Sequence, residues 1–222
     1  MKGNDRKQAL FNAILSEYIK TAKPVGSKWI VEKCQIHCSP ATVRNDMANL
    51  EQEGFIVSPH TSSGRVPTAK GYQYYIDNYL NKDIVLKEKY QNQIDSVAKD
   101  QAGENRLKSA AKEIAEISDQ AVILALAENS FYYTGISNLF RKPEFQDVNI
   151  MYNLSGIIDE FDKVMANIYR DDKQINILIG DNNPFSNQCS IIFNGNLGIL
   201  GPMRMDYQTN YSLIKYFNQL FK

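Results

Sequence analysis

Apolar residues recur at steps of three and four along the start of the chain, which is the spacing of one helix face. The first such stripe runs from about Asp5 to Ala22 and consists of Leu10, Phe11, Ile14, Leu15, Tyr18 and Ile19. The segment Lys23-Pro24-Val25-Gly26 ends it. Ser27 is placed to cap a second, short helix from Lys28 to Lys33. The pattern therefore predicts two successive helices.

A third helix is predicted from Pro40 to Glu53. Ser39 can cap its free amides, and proline is favoured at the first helical position because its missing N–H costs nothing there. One side is apolar (Val43, Met47, Leu50), and the other is small and polar, with Arg44 at its margin: Ala41, Thr42, Asn45, Ala48 and Asn49. A helix that only needed solubility would normally carry Lys and Glu there. We therefore expect this side to lie against a partner, and base edges are one such partner.

A β-hairpin is predicted directly after this helix. Gly54 ends the helix, and apolar residues at 55–57 and at Val66 flank Ser62-Ser63-Gly64-Arg65, which places Arg65 near the tip. Three helices followed by a hairpin make a winged helix-turn-helix. A further helix from Thr68 is expected to pack back on it, so a DNA-binding domain is predicted over residues 1–80.

The rest of the chain mixes helical and strand patterns. Residues 81–120 predict a connector of two amphipathic helices interrupted near Gly103, which either pairs two chains or covers the next domain. Residues 121–222 then predict an α+β domain. Its strands are expected at 121–127, 175–179, 189–193 and 197–200, the last two antiparallel across Asn194-Gly195-Asn196, and its helices at 154–168 and about 209–221.

Charge is divided unevenly along a chain whose formal net charge is zero. Residues 1–82 hold 11 Lys and Arg against 7 Asp and Glu, whereas residues 83–222 hold 14 against 18. This division predicts an electrostatic footprint for nucleic acid that is confined to the first domain.

Composition excludes several other classes of protein. The sequence contains no apolar run long enough for a membrane span and begins with a polar segment, which predicts a cytoplasmic location. Three cysteines (Cys34, Cys38, Cys189) do not suggest a disulfide framework. Cys34, His37 and Cys38 lie close in sequence, but only His60 is at hand as a fourth zinc ligand, so no metal and no cofactor are expected.

Several segments resemble the heat-inducible transcription repressors called HrcA. In the first domain these are Pro24-Val25-Gly26-Ser27, Ser39 to Met47, and Pro59 to Thr68 followed by Gly71-Tyr72. Toward the C-terminus they are Gly135 to Phe140, Pro143-Glu144-Phe145, Ile179 to Asn182 and, above all, Gly198-Ile199-Leu200-Gly201-Pro202-Met203-Arg204-Met205-Asp206-Tyr207.

The resemblance implies a dimeric repressor that binds an inverted repeat upstream of chaperone operons and depends on the chaperonin GroEL for its active form. Members of that family are usually longer, with an inserted dimerisation domain that interrupts a GAF-like domain. Here residues 83–134 are all that spans this gap, so we expect a shortened member with a truncated GAF-like domain over residues 121–222.

Specific roles follow for residues of the first domain. Asn45 can bond adenine through two hydrogen bonds, Thr42 can contact a thymine methyl or a base edge, and Asn49 shares their flank. Lys28, Ser39 and Arg44 are expected to hold phosphates, and Arg65 to reach the minor groove or the backbone, with His60 and Thr61 supporting the hairpin. The alternative is that Asn45 and Asn49 are ordinary solvated residues and that Arg65 caps a turn.

Structural roles are expected for three other charged residues. Asp46 would repel phosphate if it faced DNA, so it is expected to pair inside the protein, with an arginine or a backbone amide. Arg204 and Asp206 are expected to be structural.

Other functions have less support in the sequence. An enzyme is disfavoured, because both histidines lie in the DNA-binding part and no nucleophile–base or glycine-rich phosphate motif is present. A winged-helix regulator that senses a ligand or a metal and controls a different set of genes is one alternative. An adaptor that keeps the fold but works through protein contacts is another.

Overall fold

A computed structural model describes residues 3–34, 38–60, 63–127, 130–147, 163–165 and 174–221. The chain divides into two compact units, Met1–Leu80 and Asn81–Lys222. The helix expected over residues 154–168 falls outside the described residues except for 163–165. Within the described residues, no helix is both long enough and apolar enough to cross a bilayer.

The first unit has the predicted order of three helices, a hairpin and a fourth helix. The helices are α1 (Gly3–Thr21), α2 (Ser27–Lys33), α3 (Pro40–Gln52) and α4 (Ala69–Tyr79), and the hairpin strands are β1 (Ile56–Val57) and β2 (Val66–Pro67). The strands are antiparallel, with Ile56 opposite Pro67 and Val57 opposite Val66. The apolar stripes meet in one core, whose fully buried members include Leu10, Phe11, Ile14, Ile30, Val43, Ile56 and Tyr72. This unit is a winged helix-turn-helix.

Two local predictions in this unit are wrong. Ser27 is the first residue of α2 rather than its cap, because Gly26 takes the extended N-cap conformation and no side chain caps the helix. Arg65 lies beside β2 rather than near the hairpin tip, since its amide and carbonyl both pair with Val25, each at 2.9 Å. A Cβ at Gly64 would lie 2.4 Å from the carbonyl carbon of Val25, so only glycine permits this close pairing.

The second unit is built on one antiparallel sheet. Its strands are β3 (Ala121–Ala127), β4 (Ser130–Thr134), β5 (Asn176–Ile179), β6 (Cys189–Phe193) and β7 (Leu197–Pro202), in the order β4-β3-β7-β6-β5. Its helices are α5 (Glu88–Lys99), α6 (Gly103–Ser118), α7 (Ile136–Phe140) and α8 (Tyr207–Leu220), and two 3-10 helices occupy Pro143–Phe145 and Gly180–Asn182. Helix α5 packs on α6, α6 on β3, and α8 on β6 and β7. The predicted α+β fold class is confirmed.

The two charged residues of the segment before α8 have the structural roles expected of them. Arg204 forms a forked ion pair with Glu144, with its Nη2 atom 3.2 Å from Glu144 Oε2. Asp206 caps α8, because its Oδ1 atom accepts the backbone N–H of Thr209 at 3.0 Å. Strand β4 was not predicted, since Phe131, Tyr132 and Tyr133 follow one another without the alternation that marks a half-buried strand.

Candidate nucleic-acid interface

Helix α3 is fixed at both ends by local sequence. Its N-cap is Ser39, whose Oγ atom accepts the backbone N–H of Thr42 at 3.1 Å, and Pro40 is the first helical residue, as predicted. Gly54 follows the helix with a φ of +77°, and the Phe55 amide then donates to the carbonyl of Leu50 at 3.0 Å. A positive φ is easily adopted only by glycine, so the helix ends where the sequence predicts.

The two sides of α3 have different environments. Val43, Met47 and Leu50 are buried in the core. Asp46 is also buried and receives two hydrogen bonds from the Arg6 guanidinium, Nε to Oδ2 at 2.7 Å and Nη2 to Oδ1 at 3.2 Å. This contact with Asp46 raises the pKa of Arg6. The expected internal partner of Asp46 is thus an arginine.

The opposite side of α3 is open. Ala41, Arg44, Asn45, Ala48 and Asn49 are exposed, and Thr42 is half-buried beside Ser39, with their hydroxyl oxygens 3.0 Å apart. The flank formed by Thr42, Asn45 and Asn49 is therefore not enclosed by the unit's own core. Its amides and hydroxyl are short groups that a duplex could approach closely.

The hairpin loop is joined to α3 by Glu51. One carboxylate oxygen of Glu51, Oε1, accepts the backbone N–H of Ser58 at 2.9 Å. The other, Oε2, accepts from Arg65 Nε at 3.0 Å and lies 2.9 Å from Arg65 Nη2. The pair is part-exposed, at 25% for Arg65 and 32% for Glu51, so it contributes only about 0–1 kcal/mol to stability. Its clearer effect is to fix where the Arg65 guanidinium lies.

The end of the loop is closed by serine hydroxyls. The backbone N–H of His60 donates to Ser63 Oγ at 3.0 Å, and the hydroxyls of Ser58 and Ser63 each donate to the His60 carbonyl at 2.7 Å. The His60 side chain is left exposed. Thr61, its expected neighbour in the interface, lies outside the described residues.

Three of the predicted residues line one cavity in the first unit. It measures about 490 Å³ and lies between the start of α2, the side of α3 and the hairpin loop, and Lys28, Arg44 and Arg65 all line it. Lys28 and Arg44 are exposed, while Arg65 is held by Glu51. Thr42, Asn45, Asn49, Ser39 and His60 do not line the cavity but belong to the same unit.

The sequence pattern does not predict a role for Glu51. Its partners lie 7 and 14 residues further along the chain, across a loop, so no helical spacing indicates the contact. The described residues contain no group of three or more side chains that could hold a metal ion, and His37, one of the zinc candidates, lies outside them.

The chain matches a known protein family over most of its length. The model of the "HrcA protein C terminal domain" matches residues 73–210. A "Heat-inducible transcription repressor HrcA" from Pelotomaculum thermopropionicum is 49% identical over 88 residues, which cover 40% of this chain and 25% of that relative. A protein of the same name from Desulforamulus reducens is 25% identical over 321 aligned positions, covering 93% of this chain and 92% of the relative.

The extent of these matches differs. The match to the Pelotomaculum thermopropionicum protein spans only a quarter of the length of that relative, and the alignment with the Desulforamulus reducens protein is longer than the 222 residues of this chain. That relative therefore has segments without a counterpart here. A solved structure described as a "hypothetical protein" shares the fold, with a TM-score of 0.74 at 17% identity, covering 99% of this chain and 98% of that one.

Proposed function

This chain belongs to the HrcA family, and on that premise we propose that it is a sequence-specific DNA-binding repressor of heat-shock and chaperone genes. The observation that carries the proposal is the flank of α3 formed by half-buried Thr42 and exposed Asn45 and Asn49, in the same unit as a cavity lined by three cations. The names of the relatives support the same role. In this proposal the protein is a regulator rather than an enzyme and needs no cofactor.

The flank of α3 enters the major groove, whose width admits a helix. Asn45 bonds the edge of an adenine, Thr42 contacts a thymine methyl or a neighbouring base, and Asn49 extends the same surface. Lys28, Ser39 and Arg44 hold phosphates and set the register without reading sequence. Arg65 reaches the backbone or the minor groove, and His60 and Thr61 support the loop.

Repression follows from occupancy of the operator. Two copies bind an inverted repeat as a dimer and exclude polymerase, because the two-fold axis of a dimer matches the symmetry of such a site. Residues 81–120 are the candidate dimerisation element, and the chaperonin GroEL is the candidate partner that maintains the active form. A protein with these partners works in the cytoplasm.

Selection of bound fragments from random duplex DNA by the full chain tests the proposal. Enrichment of an inverted repeat is the expected result, since base contacts from two copies add. Uniform weak retention of all fragments would contradict sequence-specific repression and would favour the adaptor instead. Affinities must be compared across several salt concentrations, because phosphate contacts make binding fall steeply with salt.

A ligand-sensing regulator is the second candidate, because the second unit has a cavity of about 530 Å³. Its lining combines two ammonium groups, from Lys82 and Lys215, with four side-chain amides: Gln174, Asn196, Asn218 and Gln219. Such a lining suits a small polar molecule. A thermal-shift screen of the full chain against metals and metabolites distinguishes the candidates, since a specific ligand raises stability by mass action.

A further inference from the structure

We propose that the cavity lined by Lys28, Arg44 and Arg65 receives one backbone phosphate of the DNA, and that Glu51 is the positioning residue that holds Arg65 toward it. This inference rests on the proposed DNA-binding function. It goes beyond that function because it names the bound group and places three cations around it. It also gives a role to the carboxylate of Glu51.

The charge of the cavity selects an anion. Its nine described lining residues include three cations and no carboxylate, and the hydroxyl-bearing Ser27 lies beside Lys28. Arg44 precedes Asn45 on α3. A duplex whose base edge meets Asn45 must therefore carry its sugar-phosphate backbone past Arg44, which makes a nucleic-acid phosphate the occupant.

The position of Arg65 is determined more strictly than those of the other two cations. Its backbone pairs with Val25 in both directions, and the adjacent Gly64 lies against the Val25 backbone closely enough to exclude any side chain. The side chain is then held by Glu51 through Nε and Nη2. The guanidinium carries five N–H donors in a fixed fork, and Nη1 also donates to the Ser63 carbonyl at 3.5 Å. One donor on Nη1 and one on Nη2 are thus left that can reach a phosphate while the Glu51 contact persists.

Glu51 acts on both sides of the loop. Because its other carboxylate oxygen accepts the Ser58 amide, one side chain of α3 fixes the residues that follow β1 and precede β2. The cations of α3 and the hairpin loop are thus held in one arrangement already in the free protein. Pre-organised donors bind a partner more tightly, because less conformational entropy is lost on binding.

The test uses the full chain and a duplex that it selects from random DNA, with single phosphates replaced by neutral methylphosphonates. In the wild type, we expect one phosphate in each half-site whose replacement weakens binding about tenfold, as loss of a charge-assisted contact should. In Arg65→Gln, that same replacement should weaken binding less than it does in the wild type, because one of the three cations around the phosphate is already lost. The same measurement with Arg44→Gln is a second test. Because the Arg44 side chain is exposed, this substitution should not impair folding.

The role of Glu51 is tested with Glu51→Gln, which keeps an acceptor for Ser58 but removes the charge that holds Arg65. We expect the methylphosphonate replacement at that phosphate to weaken binding less than it does in the wild type. The ratio of specific to non-specific affinity should fall about three- to tenfold, while the melting temperature should stay unchanged. Glu53→Gln is the matched control, because Glu53 lies on the same helix end but pairs with Lys7. This control should change neither quantity.

Failure of this inference can be told apart from failure of the proposed function. If each methylphosphonate weakens wild type, Arg65→Gln and Arg44→Gln equally, the cavity does not hold that phosphate, although the repressor role stands. If Glu51→Gln behaves like Glu53→Gln, the positioning role is wrong. If no sequence is selected, the proposed function fails. The role of the cavity is then tested by binding to random duplex DNA. In that case Arg65→Gln should reduce the slope of log affinity against log salt concentration by about one.

Discussion

At the scale of single residues, the first unit separates groups suited to reading bases from groups suited to holding phosphates. Asn45 is an exposed amide on the open side of α3, whereas Lys28 is an exposed cation on α2 that lines the cavity. An amide can distinguish adenine from other bases through paired hydrogen bonds, whereas an ammonium group contacts any phosphate alike. The two residues should therefore affect binding in different ways.

Asn45→Ala should relax base choice at one position in each half-site, at a cost of about 1–3 kcal/mol on the preferred sequence. Lys28→Ala should instead weaken all sequences to a similar extent and lower the salt slope by about one. Repeating the selection and the salt titration with each variant checks both effects. A similar loss of base preference in the two variants would contradict the division of roles.

Cys189 offers a prediction about reactivity. Burial raises the pKa of its thiol to about 12, and the side chain is completely enclosed. Since the thiolate is the nucleophile, only about one thiol in 10⁴ would be ionised at pH 8 even if a reagent could reach it. Titration of the folded chain with an aromatic disulfide reagent should therefore modify Cys34 and Cys38, which are half-buried, and modify Cys189 only after denaturation. Rapid modification of all three thiols in the folded chain would show that this core opens readily.

At the scale of elements, several contacts hold α3, the proposed recognition helix, in place. A side-chain cap begins it and a glycine ends it, its apolar side enters the core, and Glu51 ties it to the loop of the hairpin. The start of α2 differs, because Gly26 occupies the cap position without a side-chain hydrogen bond. The serines at the starts of these two helices are therefore not equivalent.

Ser39→Ala should lower the free energy of unfolding by about 1 kcal/mol, because the Thr42 amide loses its acceptor. Ser27→Ala is the matched comparison and should change stability by less than about 0.5 kcal/mol, since Ser27 follows the cap position. Urea titrations of the two variants and the wild type provide the measurement. Equal destabilisation would mean that Ser27 caps α2 after all.

At the scale of the whole molecule, charge is divided unevenly along the chain. The first unit carries the basic excess and the candidate interface, while the acidic excess lies in the second unit, with its sheet and the two helices α5 and α6. In the proposed repressor, a monomer has one recognition helix, and one such helix binds DNA weakly by itself. The proposed repressor therefore requires two copies on one operator.

Sedimentation of the purified full chain, with and without a selected duplex, should show a dimer in both cases and two chains bound to each duplex. The apolar stripes of α5 and α6 are buried within the second unit, so the exposed sides of these helices are one candidate surface for this pairing. A protein that stays monomeric alone and binds one chain to a duplex would contradict repression through an inverted repeat.

Elements with local signals could be predicted from the amino-acid sequence alone. Ser39-Pro40, Gly54 and the stripe of Val43, Met47 and Leu50 are sufficient to define α3, because caps, breakers and helical periodicity act over a few residues. The same kind of signal located α1, the interruption at Gly103 and the hairpin of β6 and β7. The family resemblance likewise rests on short motifs that can be read in order.

Contacts between residues that are distant in the chain are seen only in the packed structure. In the packed structure, Asp46 pairs with Arg6, which lies 40 positions away, and Glu51 contacts both sides of the hairpin loop. Arg65 lies beside Val25 rather than at the predicted hairpin tip, and β4 forms an edge strand of the sheet. None of these contacts has a fixed spacing in the chain. They depend on which side chains meet when separate elements pack, and so they follow from the packed fold rather than from any local pattern.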